Sequence, residues 1–361
     1  MSDRGPLRVG IIGVGNIAAN HARGYQAAGA RIVALADPAS AALARRAVEW
    51  GVERTFADHR QLLAMAELDA VSICTPNALH GPMTLAAAAA GKHVLCEKPV
   101  SLSLAEGAAM VDACARAGVV FQVNHHLRAN RSVRRVRELL DAGTLGRITY
   151  IRLRQAHDWG GADEVPPTFR TAALAGGGTL LDNGCHLFDL AGHLGGPVAD
   201  VFARTATLKF DTRVDDTATA SLRFASGALG HVETQWTATG WEMSFGVFGT
   251  RGALEYTDRT GRPVLRWTHR DGGNATWAEP EVTAWEGGGG SDHSRAIDAF
   301  VAAVEGRGPV ICSGADGLDA VRLALAAYES AEAGRPVTIE PLMTEPVAVD
   351  GGGHDGRIRR R

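Results

Sequence analysis

The chain has 361 residues, 45% of them hydrophobic and 21% charged, with a formal net charge of −3. That is enough apolar material for two domains with a core each, and it excludes disorder as the main state. The terminal RIRRR is the first dense basic run and no apolar run approaches the length of a membrane span, so neither nucleic acid nor a membrane is expected as a partner.

The chain enters an apolar run almost at once, with no basic segment and leucine-rich stretch of a secretion signal, and the expected location is the cytoplasm. Five scattered cysteines, Cys74, Cys96, Cys114, Cys185 and Cys312, have neither CxxC nor zinc-like spacing and read as reduced core residues. Up to residue 125 the runs LRVGII, RIVALAD, DAVSICT, KHVLCEK and VVFQVN alternate with alanine-rich helical stretches. This is βαβ alternation and predicts an α/β domain, 1–125, with a parallel sheet and right-handed crossovers. Ser103 and Glu106 have capping-box spacing before a helix that Gly118 ends.

After Asn124 the pattern changes. An arginine-rich helix over about 130–142 leads into ITYIRLRQ, a Gly/Pro-rich loop and an apolar helix over 179–194. The alternating segments VFARTATL, ATASLRFA, LGHVETQW, MSFGVFG and ALEYT then predict an antiparallel-rich sheet with one face buried, in an α+β domain, 126–340. Helices over 292–304 and 315–333 are expected to close that domain, and 341–361 to form a flexible tail.

The first strand runs into Gly13-Val14-Gly15-Asn16-Ile17-Ala18 at a strand-to-helix turn. Glycines there allow a tight turn and let backbone amides approach a pyrophosphate, and small Ala18 lets the helix pack on the sheet. Asp37 follows at the end of the second strand, where a carboxylate accepts hydrogen bonds from ribose hydroxyls and repels a 2′-phosphate. The combination predicts a dinucleotide site and NAD rather than NADP, although Asp37 also suits the turn before Pro38, and Arg45 and Arg46 stand near in sequence.

Lys98, between Glu97 and Pro99, lies at the carboxyl end of a predicted strand, where ligands meet parallel sheets, and the proline holds it extended. In the 179–194 helix Asp182, His186, Asp189 and His193 recur at helical spacing with no Lys, Glu or Arg among them. Asp182 and His186 stand one turn apart, as two groups converging on one hydroxyl must. A metal pair, or a capping aspartate with a core histidine, are the other readings of the two residues; nothing fixes a third ligand, so no metal is expected.

Together GVGNIA, TPNALH at 75–80, GKHVLCEKP at 91–99 and GGGTLLDNGCH at 176–186 resemble the Gfo/Idh/MocA (glucose-fructose oxidoreductase, inositol dehydrogenase, rhizopine catabolism) family across nearly the whole chain. The resemblance implies an N-terminal α/β Rossmann domain with a parallel sheet followed by an α+β domain with an open, mostly antiparallel sheet, and hydride transfer between NAD and a secondary alcohol of a sugar, glycoside or cyclitol, in a homodimer or homotetramer. Lys98, Asp182 and His186 match the family's catalytic lysine, aspartate and histidine. His186 would exchange the hydroxyl proton, Lys98 stabilise charge on the reacting oxygen, and Asp182 position the substrate. It also implies cofactor contacts from Gly13, Gly15, Asn16, Ile17, Asp37, Thr75, Pro76, Asn77, His80, Glu97 and Lys98, with Asn77 alternatively an N-cap, and a cis Lys98–Pro99 bond. Asn124, His125, Arg128, His157 and Trp159 are candidate substrate contacts. An NAD-dependent glycosidase and a non-catalytic sugar-sensing regulator are the alternative functions.

Overall fold

The structure, a computed structural model, describes residues 5–159, 161–259, 261–270, 274–278 and 291–340. The expected tail at 341–361 lies outside the described residues. Strands β1 (Arg8–Ile12), β2 (Arg31–Ala36), β3 (Arg54–Phe56), β4 (Ala70–Ile73), β5 (His93–Cys96) and β6 (Phe121–Val123) pair in parallel in the order β3-β2-β1-β4-β5-β6. Helices α1 (Ala18–Ala27), α2 (Ser40–Trp50), α3 (His59–Leu63), α4 (His80–Ala89) and α5 (Leu104–Ala117) make the crossovers. The strand order reverses between β1 and β4, which opens a crevice at their carboxyl ends. Ser103 caps α5 by accepting from the Glu106 N–H, and Gly118 ends that helix at φ 64. All five cysteines are buried free thiols.

The next segment is α6 (Arg131–Asp141), whose first N–H groups are capped by the Asn130 side chain, then β7 (Ile148–Ala156). Short α7 (Ala172–Ala175) and α8 (Thr179–Asp182) precede α9 (Gly184–Gly195). The single helix expected over 179–194 is thus interrupted at Asn183, which keeps helical torsions, φ −79 and ψ −40. Strands β8 (Val198–Ala206), β9 (Thr217–Phe224), β10 (Leu229–Gln235), β11 (Glu242–Gly249), β12 (Gly252–Arg259), β13 (Pro263–His269) and β14 (Asn274–Ala278) follow, with β15 (Val337–Thr338) at the far edge. The nine-stranded sheet is antiparallel except for the β7–β10 pair. One face packs on α9 and part of the last long helix; the other carries ion pairs such as Arg152–Glu255 and Arg154–Glu233.

Sequence patterning assigns the last two long helices to closing the second domain, and here the structure differs. Helix α10 (Asp292–Val304) returns to the first domain, where Ile297, Phe300 and Val301 join Val9, Tyr25, Ala70 and Leu95 in one core. Gly24 of α1 makes room for it, since a Cβ there would meet Ile297 at 2.4 Å. Helix α11 (Gly314–Ala333) serves both domains: Leu318 and Val321 pack with Val123 and Met110, whereas Leu323, Ala324 and Ala327 pack with the sheet domain. An amphipathic stripe reports that a helix buries one face; it does not say against which neighbour.

Candidate active site

The glycine loop is built as its torsions require. Gly13 has φ 87, and a Cβ there would lie 2.6 Å from the Cys74 carbonyl oxygen. Gly15 has nothing within 4 Å of an added Cβ, so the loop surface beside it is open for a ligand. No side chain caps α1, whose N-terminal amides are available to a pyrophosphate. The Asp37 carboxylate accepts from the Val14 N–H at 2.9 Å and the Ala39 N–H at 2.8 Å. It therefore braces the loop and makes the turn after β2, with lone pairs left over for hydroxyls. These features fit NAD.

Across the crevice, the loop after β4 and the turn after β5 are tied together by buried His80, whose Nδ1 lies 2.7 Å from the Pro99 carbonyl and Nε2 3.0 Å from the Thr75 carbonyl. Its position is beneath the crevice. The Asn77 side chain donates to the Ala175 carbonyl of the second domain at 2.8 Å and so links the domains instead of capping a helix. The Lys98–Pro99 peptide is cis.

Lys98 from the first domain reaches the second: its Nζ lies 2.7 Å from Asp182 Oδ1 and 3.0 Å from the Asp182 carbonyl. An ammonium has three N–H donors, so one remains for a ligand. Trp236 Nε1 donates to Asp182 Oδ2 at 3.2 Å. Burial works against both charges, but the pair prevails, raising the Lys98 pKa above and holding the Asp182 pKa below the ordinary values. Beneath Lys98, burial would raise Glu97; hydrogen bonds from His21 at 2.7 Å and Asn124 at 2.6 Å hold it well below the usual carboxylate range.

Lys98, Asp182 and His186 line one cavity of about 310 Å³ with Ile17, Thr75, Asn77 and Glu97 of the first domain, and with His157 and Trp159. His186 is pushed well below the ordinary histidine range by burial and by the neighbouring His126 and Lys98. Trp159 sits at φ 55, in the left-handed region, with its ring edge-on to His157 and Trp236.

Three candidate substrate contacts lie elsewhere. Asn124 is spent on Glu97, and His125 is buried behind His186, Nδ1 to Nδ1 at 3.4 Å. Arg128 is paired with Asp189 at 2.7 Å and lines a different cavity with His193. Asp189 and His193 share the helical stripe of Asp182 and His186, but the stripe runs on beyond the site's extent along the axis. Among the described residues, His125, Asp189 and Cys312 offer ligand atoms within 4.8 Å of one another. The Arg128 guanidinium already supplies that aspartate with its cation, which disfavours a metal there. Conversely, His126, Gln155, Phe169, Asn183 and His293 line the cavity without having been marked in the sequence. The His-His pair after β6 was a signal for His126, since adjacent residues point different ways; His293 arrives only because α10 returns.

A glycine loop open at its surface, a carboxylate at the end of β2 bracing that loop and a lysine–aspartate pair joining the two domains fit a two-domain NAD-binding oxidoreductase. Residues 7–125 match the family described as oxidoreductase family, NAD-binding Rossmann fold, and residues 133–255 match the Gfo/Idh/MocA C-terminal domain. The chain is 32% identical over 341 residues to 1,5-anhydro-D-fructose reductase of Ensifer adhaerens, covering 92% of this chain and 98% of that one. It is 29% identical over 346 residues to myo-inositol 2-dehydrogenase of Thermotoga maritima, covering 93% and 100%. The structure of levoglucosan dehydrogenase in complex with NADH and levoglucosan superposes with a TM-score of 0.84 at 28% identity, covering 93% of this chain and 100% of that one. The chain belongs to the Gfo/Idh/MocA oxidoreductase family. No helix among the described residues is long and apolar enough to cross a membrane.

Proposed function

We propose that this chain is an NAD-dependent dehydrogenase acting on a secondary alcohol of a sugar, glycoside or cyclitol, with Lys98, Asp182 and His186 as its catalytic groups. The observation that carries this reading is the 2.7 Å contact between Lys98 Nζ and Asp182 Oδ1, which brings both domains into one cavity with His186. NAD+, when bound, supplies the acceptor for the hydride that leaves the alcohol carbon. His186, neutral because burial depresses its pKa, accepts the hydroxyl proton in the same event, so that the carbon–oxygen bond becomes a carbonyl. The third N–H of Lys98 donates to that oxygen and stabilises the negative charge it gains as the proton departs. Asp182 keeps the ammonium charged and aimed, and Trp236 holds Asp182.

Gly13, Gly15, Asn16, Ile17 and Asp37 take the dinucleotide, with Thr75, Pro76, Asn77 and Glu97 around the reacting end and His80 fixing their loop from below. His157 and Trp159 contact substrate. The relatives' names, two dehydrogenases and a reductase acting on polyols or anhydro sugars, support this reading and give no support to the glycosidase or the non-catalytic regulator. The same reading includes a homodimer or homotetramer through the outer face of the large sheet, where paired Tyr150 and Leu229 stand exposed. The test is NADH formation over a panel of aldoses, glycosides and cyclitols, with His186→Ala expected to lower turnover about 100-fold or more while NAD affinity stays within about 2-fold. Near-normal turnover in that variant would remove His186 as the base.

A further inference from the structure

The cavity's charges are few. Among its described lining residues Lys98 is the one lysine and there is no arginine, while Asp182 and Glu97 are both acidic. Lys98 is already matched by Asp182 at 2.7 Å. The guanidinium groups within two positions of a lining residue, those of Arg128, Arg154, Arg170 and Arg295, are paired with Asp189, Glu233, Glu164 and Asp292. The stretch 279–290, which leads into α10, contains no lysine or arginine.

What remains of the lining is neutral and rich in hydrogen-bonding groups. His126, His157, His186 and His293 all face the cavity, and burial pushes each below the ordinary histidine range, His293 to about 4. His126 and His293 stack face to face, centroids 3.7 Å apart, an arrangement that two imidazolium rings would resist. Four buried polar atoms of lining residues, Thr75 Oγ1, His126 Nδ1, Gln155 Oε1 and Trp159 Nε1, have no partner within the protein. They include an acceptor, Gln155 Oε1, a donor, Trp159 Nε1, and a hydroxyl, Thr75 Oγ1, together the complement of substrate hydroxyls, which both donate and accept. At about 310 Å³ the cavity is at the lower end of the range for small-molecule sites, and it must also admit a nicotinamide.

Resting on the dehydrogenase reading, we infer that the substrate is an uncharged polyol of about one sugar ring, recognised through its hydroxyls, and that the site rejects sugar acids, sugar phosphates and nucleotide sugars. A carboxylate or phosphate placed here would find no unpaired cation among the described lining residues and would lie near Glu97 and Asp182 in a medium of low polarity. A neutral polyol brings donors and acceptors to Gln155 Oε1 and Trp159 Nε1 and an apolar ring face to the Trp159–Phe169 side.

The experiment measures kcat/KM with NAD+ for matched sets on one ring: glucose, methyl glucoside and inositol against glucuronate, glucose 6-phosphate and UDP-glucose. In parallel, tryptophan fluorescence of the NAD-loaded protein is titrated with each compound. The anionic members are expected to be at least about 100-fold poorer in kcat/KM, and weaker in the titration. Gln155→Arg, which places a cation in the lining, is expected to narrow the glucose-to-glucuronate ratio at least about 10-fold. Anions used or bound as well as their neutral partners would overturn the inference. Absence of NADH formation from every compound would sink the dehydrogenase reading instead, and the titration would still decide the charge preference.

Discussion

Lys98→Met, Asp182→Asn and the double variant test the contact on which the site rests. At 2.7 Å and an effective dielectric constant of about 20, the Coulomb attraction of the pair is about 6 kcal/mol, part of which offsets the burial of two charges. Removing one partner of a buried pair costs about 3–5 kcal/mol. Here Asp182 keeps its bond from Trp236, and the two side chains are 17% and 11% exposed, so about 2–4 kcal/mol is expected for Lys98→Met at pH 8. The pH dependence has a definite sign. In the native protein Asp182 is depressed, so its contribution is present above the unfolded pKa of about 3.9 and is lost as pH falls through the folded value. Without Lys98, burial dominates and raises Asp182; that contribution is present at acid pH and disappears as pH rises through the raised value. The deficit of Lys98→Met should therefore be larger at pH 8 than at pH 5. Urea unfolding of all four proteins at both pH values measures it, with a coupling of at least about 1.5 kcal/mol at pH 8 expected from the cycle. A deficit under about 1 kcal/mol, or singles that simply add, would show that the two charges do not meet.

Because burial holds His186 well below its ordinary pKa, the acid limb of kcat/KM for alcohol oxidation is expected below about pH 6.5; a limb at pH 7.5 or higher would refute His186 as the base. Asp37→Ser combined with Ala39→Arg should shift the NAD-to-NADP ratio in kcat/KM towards NADP by at least about 10-fold, and should also weaken NAD because the Val14 N–H loses its acceptor. An unchanged ratio would separate Asp37 from the ribose. Phe300→Ala empties a fully buried position between α10 and the first domain and should cost about 3–5 kcal/mol in urea unfolding; a loss under about 1 kcal/mol would contradict the docking of α10.

Features whose meaning is local were legible in the sequence. Gly13 and Asp37 are separated by one βαβ step, Lys98 stands two residues past β5, and Asp182 and His186 lie within about one helical turn, so each group is near in sequence to the element that carries it. The five alternating strands were readable for the same reason. The two-residue β15 is too short for periodicity to register, and β3, β13 and β14 were also missed. Residues 124–128 show where spacing gives out: in the short 3-10 turn after β6, His126 points into the cavity, His125 lies behind His186 and Arg128 meets Asp189. Which of these faces a ligand depends on partners more than 60 positions away. His293 and Gln155 are hidden by the same long-range placement.

Helix α11 holds the two halves of the chain as a beam embedded in both, its first turns in one core and its last in the other. Cutting the chain after residue 125 would strip the first half of that beam and of α10 together, exposing Phe121, Val123, Tyr25 and Leu95. The dinucleotide half is therefore not a detachable module that could be exchanged for another by recombination at the 125/126 junction. New substrate preferences in such an architecture must arise by changes in place, at positions such as 126, 155 and 293 that the shared framework already aims into the cavity.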